Sequence, residues 1–361
     1  MEKKRSVNYE WLRILCMLMI VMLHLLGNGH GNVLSKTIPF SAVYYVTWTI
    51  EAFCVVAVNC YVLISGYFLV ESRFSWGRVL KLCVQVWFYS IFIFGILAIT
   101  GKVELSSTAL LTACMPVLNR SYWFFSSYLG MLVLSPFLNV LAKSLKKREF
   151  QYLLLICIGM FSIITTVYPV CDTFSTGGGT GVVWFCVLYL TAAYIRIHDI
   201  GKNISSGKWL SGYVAASVIL ALSKFSIAIL TQSVLGHSVG TSIFYGYESP
   251  VCFISSVCLF MAFRNSTKKG RMDKAVLAVS GTTFGVYLIH DNPFLRPVIW
   301  QIFAPENVDG NLFRLILLLI GIVMGIFLVC CAVEVLRRFL FRIIGIDRFF
   351  DHLKKRGKHE A

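Results

Sequence analysis

The sequence predicts an all-α polytopic membrane protein with about ten transmembrane helices and both termini in the cytoplasm. Three observations predict it. Of the 361 residues, 57% are hydrophobic and only 14% are charged, and the mean hydropathy is +0.75, a balance outside the range of soluble domains. Apolar runs long enough to cross a bilayer, about 20 residues each, recur along the whole chain. Lysine and arginine concentrate on alternate connections between those runs. No connection is long enough to hold a separate soluble domain.

The spans are read at residues 10–28, 43–70, 79–100, 122–142, 150–168, 181–197, 209–231, 248–264, 275–290 and 312–336. The second is long and is expected to tilt; the ninth is short. One set of connections carries Lys3, Lys4 and Arg5, then Arg73, Arg78 and Lys81, then the cluster from Lys143 to Arg148. It continues through Arg196, Lys202 and Lys208, the cluster from Arg264 to Lys274, and the tail from Arg337 to Lys358, and holds 26 of the 33 Lys and Arg. The other set has only Lys36, Lys102, Arg120 and Arg296. The positive-inside rule places the first set in the cytoplasm. The expected organisation is one membrane domain, 1–342, and a basic cytoplasmic tail, 343–361, that lies solvated or against lipid.

The net charge of +16 is therefore an orientation signal, and no nucleic-acid partner is expected. Most of the twelve cysteines fall inside apolar spans, where cysteine acts as a small apolar residue. No Cys/His spacing suggests a metal. The basic N-terminus before an apolar run resembles a signal peptide but lacks a small-residue cleavage site, and reads as a retained first span. The glycine-rich DTFSTGGGTG has no preceding strand and reads as a flexible outer loop, not a phosphate cradle.

The first span, NYEWLRILCMLMIVMLHLLGN, carries two ionisable residues that a simple anchor does not need. Arg13 and His24 are eleven residues apart. At about 100° per residue they point from one face, roughly 16 Å apart along the axis. Intramembrane charges usually mark a function; the plain alternative is a snorkelling arginine and a satisfied core histidine. Glu51 in the second span lies at a depth similar to that of His24, so the two are expected to pair, a carboxylate fixing the imidazole's tautomer; otherwise Glu51 is an outer-interface residue. Lys224, deep in the seventh span, must face the bundle interior or water, with Glu51 its best partner. Ser135-Pro136 should bend the fourth span, with the proline's lost hydrogen bond met internally.

Five short motifs, in order, carry a family resemblance. Arg13 and His24 form R-x10-H. Asn59 and Ser65-Gly66-Tyr67 lie in the second span. Arg78 and Lys81 form a basic turn, Tyr122-Trp123-Phe124 opens the fourth span, and Thr283 to His290 read T-F-G-V-Y-L-I-H. Together they resemble the integral-membrane acyltransferase 3 family, ten-span enzymes of which many O-acetylate cell-surface glycans. Within it, the chain is most similar to the subgroup of the enterobacterial common antigen O-acetyltransferase. Two departures stand out. Asn59 replaces an aspartate found in many members, and Lys81 replaces the second arginine of R-x-x-R. Lysine is a point charge where arginine offers a bidentate fork.

The resemblance implies an O-acetyltransferase of the cytoplasmic membrane. Its donor substrate would be acetyl-CoA from the cytoplasm, with no bound cofactor, and its acceptor a hydroxyl of an envelope glycan or lipid-linked sugar. Arg78 and Lys81 would bind the donor's phosphates; an ordinary positive-inside loop explains them equally. His24 would take the hydroxyl proton, Glu51 would orient it, and Arg13 would bind phosphate or stabilise the thioester oxyanion. Asn59, Tyr122, Trp123, Lys224 and His290 are candidate substrate-binding residues, although Tyr122 and Trp123 also suit an aromatic belt and Ser65-Gly66 suits close helix packing. The rival reading is a secondary transporter or flippase for an acyl or sugar compound. Such proteins often show inverted repeats and paired broken helices, and the sequence displays neither. A glycan-sensing scaffold would leave Arg13 and His24 unexplained.

Overall fold

A computed structural model of the chain describes residues 7–27, 30–267, 273–308 and 310–346. Lys3, Lys4, Arg5, Asn28, Lys268, Lys269, Arg271 and the tail from residue 347 onward lie outside the described residues. Those described are helical or looped, with no strand among them. In order the helices are α1 (Val7–Leu26), α2 (Val33–Lys36), α3 (Ala42–Cys54), α4 (Ala57–Leu69), α5 (Trp76–Ile99) and α6 (Ser107–Cys114). Next come α7 (Trp123–Ser144), α8 (Lys147–Ile158), a π-helical stretch (Gly159–Ile164), α9 (Thr165–Val167), α10 (Val182–Ile197) and α11 (Ser206–Leu235). A 3-10 turn (Ile243–Tyr245) leads into α12 (Pro250–Arg264), followed by α13 (Asp273–Ser280), α14 (Thr283–His290), α15 (Leu295–Phe303) and α16 (Leu312–Ile344).

Among the described residues, eight segments are long and apolar enough to cross a membrane: α1, Ala42–Leu69, α5, α7, Lys147–Val167, α11, Ile243–Arg264 and α16. Of the ten expected spans, 181–197 is the shorter apolar helix α10, of 16 residues. The expected span 275–290 is two eight-residue helices, α13 and α14, interrupted at Gly281-Thr282. A broken helix is therefore present, although sequence patterning displayed none. Hydropathy averages over a window and does not register a two-residue interruption between apolar halves.

Local chemistry explains the helix ends. Ser249 accepts from the Cys252 amide at 3.2 Å and Pro250 occupies the first turn of α12, where its missing N–H costs nothing. Gly345 (φ 82°) ends α16 in the left-handed conformation that glycine adopts without penalty. Inside α7, Pro136 cannot donate to the Leu132 carbonyl; the Ser135 hydroxyl does so instead, at 2.7 Å.

The helices form an inner group and an outer ring. α1 is the hub and packs against α3, α4, α12, α13, α14 and α16. α5, α7, α8, α11 and α16 present large apolar side chains outward, among them Phe92, Ile99, Phe137, Leu155, Leu230 and Leu336. An apolar exterior of this extent suits contact with lipid. α4 crosses α10 at Gly66, where a Cβ would come within 2.8 Å of the Tyr189 Cα, so only glycine permits this approach.

Candidate active site

Arg13 and His24 both border one cavity of about 540 Å³, as their shared helical phase requires. Its wall also includes Glu10, Arg78, Gln85, Gly281 and Arg338, and the aromatic residues Trp123, Phe124, Tyr247 and Tyr287. Ser65 lines it too, bonded by the Tyr128 hydroxyl at 3.2 Å. Arg13 donates to both Glu10 oxygens at 2.9 and 3.0 Å. Its carbonyl accepts from the Tyr61 hydroxyl at 2.7 Å, which fixes this turn of α1 against α4.

The His24 end is a histidine relay. His24 Nδ1 lies 2.9 Å from His290 Nε2, and His290 Nδ1 lies 2.6 Å from the Val286 carbonyl. A carbonyl only accepts, so His290 Nδ1 carries a hydrogen. With both rings neutral, His290 Nε2 is then an acceptor and His24 Nδ1 must donate to it. This leaves His24 Nε2, on the opposite edge of the ring, with its lone pair. Asp291 Oδ1 sits 3.9 Å from His24 Nδ1. It lies 3.1 Å from both His30 Nε2 and Arg296 Nη1. The His30 ring stacks on His24 at 4.5 Å. The carboxylate of Asp291 is buried, and Arg296 compensates its charge.

His24, His30 and Asp291 bring three possible ligand atoms within 4.8 Å of one another. The Arg296 guanidinium already occupies this neighbourhood, 3.1 Å from Asp291 Oδ1 and 3.3 Å from His30 Nε2. The arrangement is an ion-pair cluster in which a metal cation would meet a resident positive charge.

The expected pairing of Glu51 with His24 is not present; Asp291 is the carboxylate beside the imidazole. Glu51 lines a second cavity, of about 280 Å³, with Ser35, Trp48, Ser242 and Tyr245. Similar depth left the rotation of α3 about its axis open, and α3 packs that face against α11. Lys224 lies near Glu51 but makes no direct ion pair with it among the described residues. Its ammonium instead bonds Thr241 and Ser242 at 2.9 and 3.0 Å and sits 3.4 Å from the centre of the Trp48 ring, a cation–π contact.

The other expected residues separate. Trp123 borders the main cavity and stacks on Tyr247. Asn59 is buried away from its wall, donating to the Tyr247 carbonyl at 2.7 Å and accepting from Trp184 at 3.2 Å. It holds the Tyr247 segment in place. Tyr122 is also buried, with its hydroxyl donating to the Leu288 carbonyl at 3.0 Å and accepting from Asn292 at 2.7 Å. His290 stands behind His24, fully buried. Arg78 lines the cavity, whereas Lys81, one turn on, is exposed and outside its wall.

The glycine-rich loop read as flexible is held at both ends. Asp172 accepts from the Thr176 and Gly177 amides at 2.7 Å each, and the Gly178 carbonyl accepts from the Tyr247 amide at 3.1 Å. Burial alone would push the Asp172 carboxyl up, but these amides hold it below the usual carboxylate range.

Apolar helices wrapped around an inner cavity that carries arginines at one end and a histidine relay at the other define a multi-pass membrane protein with an enzyme-like interior. A family model of the acyltransferase domain, acyltransferase 3, matches residues 6–335, nearly the whole chain. The chain belongs to that family, and its class is membrane acyltransferase. No curated protein and no solved structure matches it.

Proposed function

We propose that the protein moves an acetyl group from cytoplasmic acyl-CoA to a hydroxyl of an envelope glycan or lipid-linked sugar, as an O-acetyltransferase of the cytoplasmic membrane. Within the family, its motifs favour the enterobacterial common antigen O-acetyltransferase subgroup. One observation carries this reading: Arg13, Arg78 and His24 line a single cavity. The donor's phosphates rest at Arg78 and Arg13, and its pantetheine arm extends along α1 to bring the thioester to His24. His24 Nε2 takes the proton as the acceptor oxygen bonds to the thioester carbon. The tetrahedral intermediate then collapses, the carbon–sulfur bond breaks, and the proton passes from His24 to the leaving CoA thiolate. Asp291, 3.9 Å from Nδ1, steadies the imidazolium between those steps.

The test uses purified protein in lipid vesicles with acetyl-CoA and candidate acceptors. Stoichiometric CoA thiol release and acetylated acceptor are expected. Movement of a labelled compound across the vesicle without acyl transfer would favour the transporter reading instead. In the same assay Arg78→Ala is expected to raise the KM for acetyl-CoA about tenfold or more, since charge-assisted contacts are worth ~1.5–3 kcal/mol each. Lys81→Ala is expected to change it less. Unchanged donor saturation in Arg78→Ala counts against Arg78 as a phosphate contact.

Both termini are proposed to be cytoplasmic, from the charge asymmetry. In intact cells a membrane-impermeant thiol reagent is expected to label the exposed native Cys171 and to miss cysteines introduced at 143–148 or 265–271. Labelling of either introduced set from outside overturns this orientation.

A further inference from the structure

α16 ends in a buried ion cluster. Glu334 is fully buried and accepts from Arg337 at 2.7 and 2.8 Å, Arg338 at 2.9 Å and the Tyr89 hydroxyl at 2.7 Å. Gln85 approaches both its oxygens at 3.3 and 3.4 Å. Room for the carboxylate comes from Gly285, where a Cβ would overlap Glu334; this is the glycine of the T-F-G-V-Y-L-I-H segment.

One carboxylate thus serves two guanidiniums. Of the two, Arg338 borders the main cavity. Its side chain is 42% exposed, against 8% for Arg337. Besides Glu334 it also reaches the Gly281 carbonyl, at the break between α13 and α14. Arg78 and Gln85 stand two turns apart on α5, on one face, and both line the same cavity. Among the described residues, the cavity wall therefore carries three arginines, Arg13, Arg78 and Arg338, against one carboxylate, Glu10. A concave wall of that sign, with one fork held by a buried acid, suits a multiply charged phosphate.

We propose that Arg338, positioned by Glu334, is a phosphate-binding residue for the donor's diphosphate. The inference rests on the acyl-CoA reading above. Glu334 fixes the Nε side of the guanidinium and leaves the other donors to the ligand, with the Gly281 carbonyl as their resting partner. The probes are CoA, inorganic pyrophosphate and pantetheine, which has no phosphate, each titrated onto full-length protein in lipid nanodiscs.

Wild-type protein is expected to bind CoA and pyrophosphate. Arg338→Ala should weaken both at least tenfold and leave pantetheine binding unchanged. Arg338→Gln, which keeps a polar side chain at this position, should behave as Arg338→Ala and serves where the alanine variant does not fold. CoA bound equally by wild type and both variants overturns the inference and leaves the acyl-CoA reading intact. Arg338-dependent pyrophosphate binding with no CoA binding supports the phosphate site and overturns the CoA reading. Binding of neither overturns both.

Discussion

His24→Ala is expected to abolish acyl transfer, with a fall in kcat of ~10²–10⁴-fold, the usual consequence of losing a general base. CoA binding and protein level should be unaffected, because the proposed phosphate site at Arg13 lies three helical turns away. The structure sharpens the companion variant. Gln at this position can still donate to His290 Nε2 from its amide, as His24 Nδ1 does at 2.9 Å, but it has no nitrogen that takes a proton near neutral pH. His24→Gln should therefore match His24→Ala in kcat while preserving the packing around His290 and His30. If His24→Gln retains near-normal kcat, His24 is a binding or packing residue and the proposed mechanism is wrong.

His290→Leu is expected to lower kcat by about 10²-fold without raising the KM for acetyl-CoA. The cost falls short of the ~10⁴-fold loss seen where a triad histidine is held in the wrong tautomer. The argument is one of tautomers. The Val286 carbonyl, 2.6 Å from His290 Nδ1, makes His290 an acceptor at Nε2, and that acceptor keeps the hydrogen of His24 on Nδ1. Leucine removes the acceptor, so His24 is free to place its hydrogen on Nε2, where it no longer acts as a base. His290→Gln supplies the rescue. Its amide donates to Val286 and its oxygen accepts from His24, so the productive tautomer is kept and most activity should return. Equal kcat for His290→Leu and His290→Gln would mean that His290 only fills space.

The two predictions differ in how far the sequence anticipates them. Arg13 and His24 on one face follow from eleven residues at helical pitch, because phase within a single helix is a local property. The long spans follow from hydropathy for the same reason, and the charge asymmetry from which their orientation is proposed is a count. The five short motifs, taken together and in order, carried the family resemblance.

Partners across helices were another matter. Similar depth in the membrane made Glu51 the expected partner of His24. Packing chose Asp291, because α14 faces α1 and α3 turns its carboxylate towards α11. Asn59 and Tyr122 were grouped with the substrate-binding residues by their motifs, yet the structure seats them behind the cavity wall, holding Tyr247 and Leu288. Arg338 falls in the basic set that runs from Arg337 to Lys358, and only the approach of α16 to Gly285 makes Glu334 a buried acid and Arg338 a cavity-lining arginine.

What the sequence by itself determined is what each segment does alone: which long segments are apolar enough to span, and which residues share a face. What only the tertiary structure decided is which faces meet, because the rotation of each helix about its axis and the break at Gly281-Thr282 are set by packing between segments far apart in the chain.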